Sequence, residues 1–162
     1  FTEFAALKAA LYQQGLIDNQ RLGVGGASMG GMTALGIMTQ FPEVRSVACL
    51  MGSGYFSTLA NSLFPPLEVT TPEEQAAFDA IVAPLAKWDI SGQLAQLANR
   101  PLFLWHGEED DVVPAAETLR LQQALAAARL DEQLTCLWEA GVKHRITPTA
   151  LTATVRFFTE HL

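Results

Sequence analysis

Arg21-Leu22-Gly23-Val24-Gly25-Gly26-Ala27-Ser28-Met29-Gly30-Gly31-Met32 carries the decisive pattern of this chain. After Arg21 the six residues Leu22–Ala27 are small, apolar and uncharged, which suits a strand buried in a parallel sheet. From Met29 to Gln40 the residues read as a largely apolar helix, through Met32, Leu35, Ile37 and Met38, closed by Pro42. Between them lies Gly26-Ala27-Ser28-Met29-Gly30, a G-x-S-x-G pattern. At such a sharp strand-to-helix turn one serine oxygen is lifted clear of the backbone. Both flanking glycines are expected to be needed, because a side chain there would collide with neighbouring backbone. The pentapeptide alone is weak evidence, arising by chance in on the order of one chain in twenty of this length. Its setting between strand and helix gives it weight. A dinucleotide fingerprint would need glycine where Ser28 stands, and a phosphate loop would need lysine where Met32 stands.

The 162 residues suffice for one domain with a real core, and 1–162 is read as a single α/β domain. The net charge of −7 and the lack of any Lys/Arg-rich patch argue against nucleic acid as partner. No apolar run approaches the ~20 residues of a membrane span, and no charged segment precedes a signal core. The chain opens at Phe1 and is expected to be processed, trimmed or truncated. Cys49 and Cys136 fall in two predicted strands with one strand between them. Such strands lie about 9–10 Å apart, beyond the roughly 7 Å a disulfide tolerates. Two buried thiols are expected, in keeping with a reducing cytoplasm.

Around the elbow, strands and helices alternate. Phe1, Phe4, Leu7 and Leu11 share the face of an opening helix that Gly15 ends, and a turn at Asp18-Asn19 follows. Strands are predicted at Val44–Met51, Pro101–Trp105 and Leu134–Glu139, and helices over Pro114–Leu130 and Pro148–Leu162, the last capped by Thr147. The stretch 55–100 is the least sheet-like. Thr71-Pro72-Glu73-Glu74 reads as a capping box, a helix is predicted over Asp89–Ala98, and Phe64-Pro65-Pro66 interrupts. This stretch reads either as a helical cap insertion over one end of the sheet or as ordinary connecting structure. The whole is an α/β fold with a mainly parallel sheet and flanking helices.

Ligands gather at the carboxyl ends of strands in such sheets, and the polar residues agree. Ser28 follows the first strand, the acids Glu108, Glu109, Asp110 and Asp111 follow the third, and His144 follows the fourth. Serine needs a base to take its proton, and histidine needs an acid to hold its tautomer. His161 sits on the polar tail and is expected to be solvated. His106 follows a strand directly, where it can satisfy backbone groups in a turn. His144 lies in the loop Gly141–Arg145 and is the expected base. The four acids alone leave the third member open, since a charge run usually marks a solvated loop. No histidine or cysteine spacing suggests a zinc site, so no metal or cofactor is expected.

Taken together, Gly26–Gly30, His106-Gly107-Glu108-Glu109-Asp110-Asp111-Val112-Val113-Pro114 and Gly141-Val142-Lys143-His144 resemble the α/β-hydrolase superfamily of esterases and peptidases, across nearly the whole chain. Met51–Phe56 and Lys143–Pro148 are similar in wording to the YjfP-type carboxylesterases. The resemblance puts Asp110, not Asp111, in the triad with Ser28 and His144. It implies hydrolysis of small to medium acyl esters through an acyl-enzyme, with the Met29 backbone N–H as oxyanion donor. It makes Tyr55, Phe56 and Val113 candidate acyl-pocket walls, for which plain core packing is the competing reading. It also implies strands before the nucleophile strand, one early loop supplying a second oxyanion donor. Only one helix precedes Ser28 here, so the chain is expected to be the carboxyl-terminal portion of such a fold, a weak catalyst, with the open edge of strand 21–27 favouring homo-oligomers. Two alternatives are a non-catalytic fragment or binding module retaining the fold, and peptidase or acyltransferase chemistry on the same triad.

Overall fold

The structure is a computed structural model and describes residues 1–18, 20–63 and 71–162. Asn19 and the Phe64-Pro65-Pro66 interruption lie outside the described residues. Four parallel strands run in the order β1 (Leu22–Ala27), β2 (Val44–Leu50), β3 (Leu102–Gly107) and β4 (Leu134–Glu139). Helices α1 (Thr2–Gln13), α2 (Met29–Gln40), α3 (Phe56–Leu63), α4 (Pro72–Val82), α5 (Ala115–Ala127) and α6 (Pro148–His161) flank and connect them. This is the α/β-hydrolase type of architecture, a parallel sheet between helical layers.

The two-residue alternation of strands divides the core between the sheet's faces. Val47, Cys49, Leu102 and Leu104 point to one face and pack with Leu35 and Met38 of α2 and Leu121 and Leu125 of α5. Ala48, Leu50, Phe103 and Trp105 point to the other and pack with Ala150 and Phe157 of α6. Covered on both sides, β2 and β3 carry continuous apolar runs at 47–50 and 102–105. Cys49 pairs in register with Leu104, and Leu104 with Cys136, so the cysteines stand two strands apart and are free thiols. Cys136 is only half-buried, because β4 closes the sheet on that side.

Besides the burial expected of Cys136, three further expectations change. On α1, Phe4 meets Phe41 with ring centroids 4.9 Å apart, but Leu7 is exposed and no residue of the helix is buried. Over 89–98 the chain forms short 3₁₀ turns at Ile90–Gly92 and Leu94–Leu97, preceded by another at Ala83–Trp88, rather than one helix. The reason is tertiary. Ile90 N–H donates to Gly54 O at 2.7 Å, and the Asp89 carboxylate accepts Ser57 N–H at 3.0 Å, so the start of this stretch is tied to the segment before and within α3. The third concerns Gly30, which has open space where a Cβ would stand, whereas a Cβ on Gly26 would lie 2.3 Å from Gly30 O. No helix among the described residues is long and apolar enough to cross a membrane.

Candidate active site

The carboxyl ends of β1, β3 and β4 deliver Ser28, Asp110 and His144 to one place. Ser28 ends the β1 turn with φ 53° and ψ −125° and stands at the N-cap position of α2, its hydroxyl making no capping bond. That positive φ is costly for a residue with a side chain, and it persists because the surroundings hold it. Ser28 N–H donates to Leu50 O at 2.9 Å, and Ser28 O accepts Met32 N–H at 3.1 Å. Gly26 lets the first turn of α2 close against the strand end. Met29 opens α2 with its side chain exposed.

The loops after β3 and β4 pack against each other. Glu108 N–H donates to Glu139 O at 2.9 Å and Glu109 N–H to Val142 O at 3.0 Å, carrying the pairing beyond the strands. Gly107 is needed there, because a Cβ would meet Val142 O at 2.3 Å. Glu139 braces the second loop: its Oε2 accepts Trp105 Nε1–H at 2.9 Å and the Thr147 hydroxyl at 2.8 Å. Thr147 in turn accepts Ala150 N–H at 3.0 Å and caps α6.

Within this frame His144 Nε2 lies 3.0 Å from Ser28 Oγ, and His144 Nδ1 lies 2.7 Å from Asp110 Oδ2. The Asp110 side chain is fully buried, and its Oδ1 accepts Val112 N–H and Val113 N–H, each at 2.9 Å. A carboxylate satisfied on both oxygens can hold the tautomer of the imidazole it faces, and the far nitrogen of that imidazole can then take a proton from the serine hydroxyl. Of the four acids left open, Asp110 is the one that reaches His144. Asp111 points outward to Lys143 at 2.9 Å, which lowers its carboxyl below the usual range. Glu108 and Glu109 are exposed, as is His161.

His106 does more than its turn position implied. It lies within β3 rather than after it, and its Nε2 bonds Val113 O at 2.8 Å and also stands 3.2 Å from Asp110 Oδ2. Burial holds this imidazole below its ordinary value, opposed by the Val113 carbonyl and the Asp110 carboxylate. Of the candidate pocket walls, Val113 is fully buried with Met32 and Leu59, and Tyr55 is buried in the main core with Arg120 over its ring at 3.7 Å. Packing describes both residues here; Phe56 is half-buried.

The sequence profile of the prolyl oligopeptidase family matches residues 1–162. The chain belongs to that family. Among relatives of this prolyl oligopeptidase family chain, Esterase YjfP of Escherichia coli (strain K12) is 58% identical over 160 residues, covering 99% of this chain and 64% of that protein. The putative esterase YitV of Bacillus subtilis (strain 168) is 30% identical over 167 residues, covering 99% and 65%. The chain thus spans under two thirds of the length of either. The fold is shared with a puromycin-hydrolyzing peptidase of Mycobacterium tuberculosis (TM-score 0.75, 20% identity, 97% of this chain and 25% of that one). It is shared also with TT1662 of Thermus thermophilus (TM-score 0.70, 23% identity, 95% and 58%).

Proposed function

We propose that the chain carries the catalytic residues of a serine carboxylesterase acting on small to medium acyl esters. The observation that carries this reading is the line Ser28 Oγ, His144 Nε2, His144 Nδ1, Asp110 Oδ2, with contacts of 3.0 and 2.7 Å at the end of a strained elbow. The names of the two esterase relatives support it.

In this reading Ser28 Oγ attacks the ester carbonyl carbon while its proton passes to His144 Nε2. Asp110 keeps hydrogen on His144 Nδ1 and stabilises the imidazolium that forms. The oxyanion is held by Met29 N–H at the positive end of α2. Collapse breaks the ester C–O bond, and the leaving alkoxide takes the proton from His144. Water then attacks the acyl-enzyme with His144 again as base, releasing the acid and restoring Ser28. One oxyanion donor is assigned, and a site short of a second turns over about 10²–10³ more slowly. Phe56 remains a candidate wall for the acyl group.

A second reading, peptidase chemistry on the same residues, is favoured by family membership. Both are tested by treating the purified chain with a fluorophosphonate and mapping the adduct by mass spectrometry. One adduct on Ser28, lost in His144→Ala, is the expected result; no adduct overturns both readings for this chain. Turnover of p-nitrophenyl butyrate without turnover of aminoacyl p-nitroanilides selects the esterase, and the reverse selects the peptidase.

A further inference from the structure

Asp110 Oδ2 is shared by two imidazoles. His144 Nδ1 approaches it at 2.7 Å and His106 Nε2 at 3.2 Å, and the side chains of Asp110 and His106 are both fully buried. The hydrogens on His106 follow from its neighbours. Nε2 faces Val113 O at 2.8 Å and stands 3.2 Å from Asp110 Oδ2, neither of which can donate, so Nε2 carries hydrogen. Nδ1 faces Thr118 Oγ1 at 2.7 Å. The Thr118 hydroxyl has one hydrogen and a second acceptor, Gly52 O, at 2.9 Å. Burial favours the uncharged ring, which leaves Nδ1 bare and draws the Thr118 hydrogen to it. His106 is therefore held from α5 through Thr118 and from its own loop through Val113.

We propose that His106 is a positioning residue for the reaction: its Nε2–H is the second imidazole donor to Asp110 Oδ2, fixing the carboxylate and keeping the shared proton on His144. This rests on reading Ser28 and His144 as nucleophile and base. When His144 becomes imidazolium, Asp110 must stabilise it without taking its proton. A second donor on the same oxygen lowers the basicity of that oxygen, so the proton stays on nitrogen. A neutral donor does this without placing another positive charge beside His144. The Lys143–Asp111 pair next to the site is exposed and screened, and cannot substitute.

Two substitutions separate positioning from packing. His106→Phe keeps the volume and removes the donor; His106→Gln keeps an N–H near the place of Nε2. The expected result is a loss of kcat of about 10–100-fold in His106→Phe with KM within about twofold, recovered in large part by His106→Gln. The downfield proton resonance of His144 Nδ1–H should shift or broaden in His106→Phe and return in His106→Gln. Equal kcat in all three chains, or equal losses in both variants, overturns the proposal. Should His106→Phe not fold, the wild-type chain decides: long-range nitrogen–proton correlation places the His106 hydrogen on Nε2 if the proposal holds, and hydrogen on Nδ1 alone overturns it. If wild-type Ser28 takes no fluorophosphonate, the catalytic reading fails by itself, while the resonance and the tautomer still settle the His106 contact.

Discussion

At Ser28 the backbone adopts φ 53° and ψ −125°, and the two glycines around it contribute unequally to that turn. A Cβ on Gly26 would stand 2.3 Å from Gly30 O and 2.4 Å from its carbonyl carbon, atoms of backbone that cannot swing aside. Gly30 has nothing within 4 Å of the same position. Gly26→Ala should lower stability by about 1–3 kcal/mol, the usual cost of overpacking, and reduce labelling of Ser28. Gly30→Ala, in the first turn of α2, should leave stability unchanged or raise it by up to about 1 kcal/mol. Urea midpoints of the two variants check this; equal losses would show that both glycines are steric. The pattern G-x-S-x-G could not separate them, because it records that two residues lack a side chain and not what surrounds each. His106 shows the same limit. The sequence placed it just after a strand that in fact runs on through Gly107, and its contact with Asp110 depends on how the 108–113 loop curls back over the strand end.

Among the elements, those held by local hydrogen bonds were legible and those held by distant ones were not. Thr71 accepts Glu74 N–H and Glu74 reaches back to Thr71 N–H, a box complete within four residues. Thr147 with Pro148 opens α6 in the same local way. The run of 89–98 reads as helix by composition, yet Asp89 serves Ser57, 32 residues away, and no local pattern reveals such a partner. Asp89 thereby satisfies an N–H of the first turn of α3, as a capping side chain would. Asp89→Ala should cost about 1–2 kcal/mol, read as a fall in the urea midpoint. Thr147→Ala removes both the α6 cap and a donor to Glu139, so a cost of about 1–2 kcal/mol is expected there as well. Because Thr147 and Glu139 brace the loop that carries His144, Thr147→Ala should also slow fluorophosphonate labelling, while Asp89→Ala should not.

For the molecule as a whole, the layered architecture and the rim that gathers Ser28, Asp110 and His144 follow from alternating apolar runs, so both were legible before any coordinates. The response to alkali is set by one buried and one half-buried thiol. Burial pushes Cys49 up to about 12 and Cys136 up to about 11, and raises Tyr55 as well. Unfolded thiols ionise from about pH 8.5. The raised folded values mean that the unfolded chain releases protons first, so stability is full below about pH 8.5 and declines as pH climbs toward 11 and 12. The urea midpoint should therefore drop between pH 7 and pH 9.5, and the drop should shrink in Cys49→Ala/Cys136→Ala. The remaining property of the whole is association. Among the described residues β1 pairs only with β2, and its sequence, Leu22 to Ala27, holds no charge to discourage a second strand. The other edge, β4, carries Thr135 and Glu139, and Glu132 precedes it. Self-association through β1 is the expected outcome, seen as a rise in scattering mass with concentration. Amides of Gly23 to Ala27 should gain hydrogen-exchange protection over the same range, while those of β4 do not. A monomer at high concentration, with β1 exchange independent of concentration, would show instead that the strand's edge is protected within a single chain.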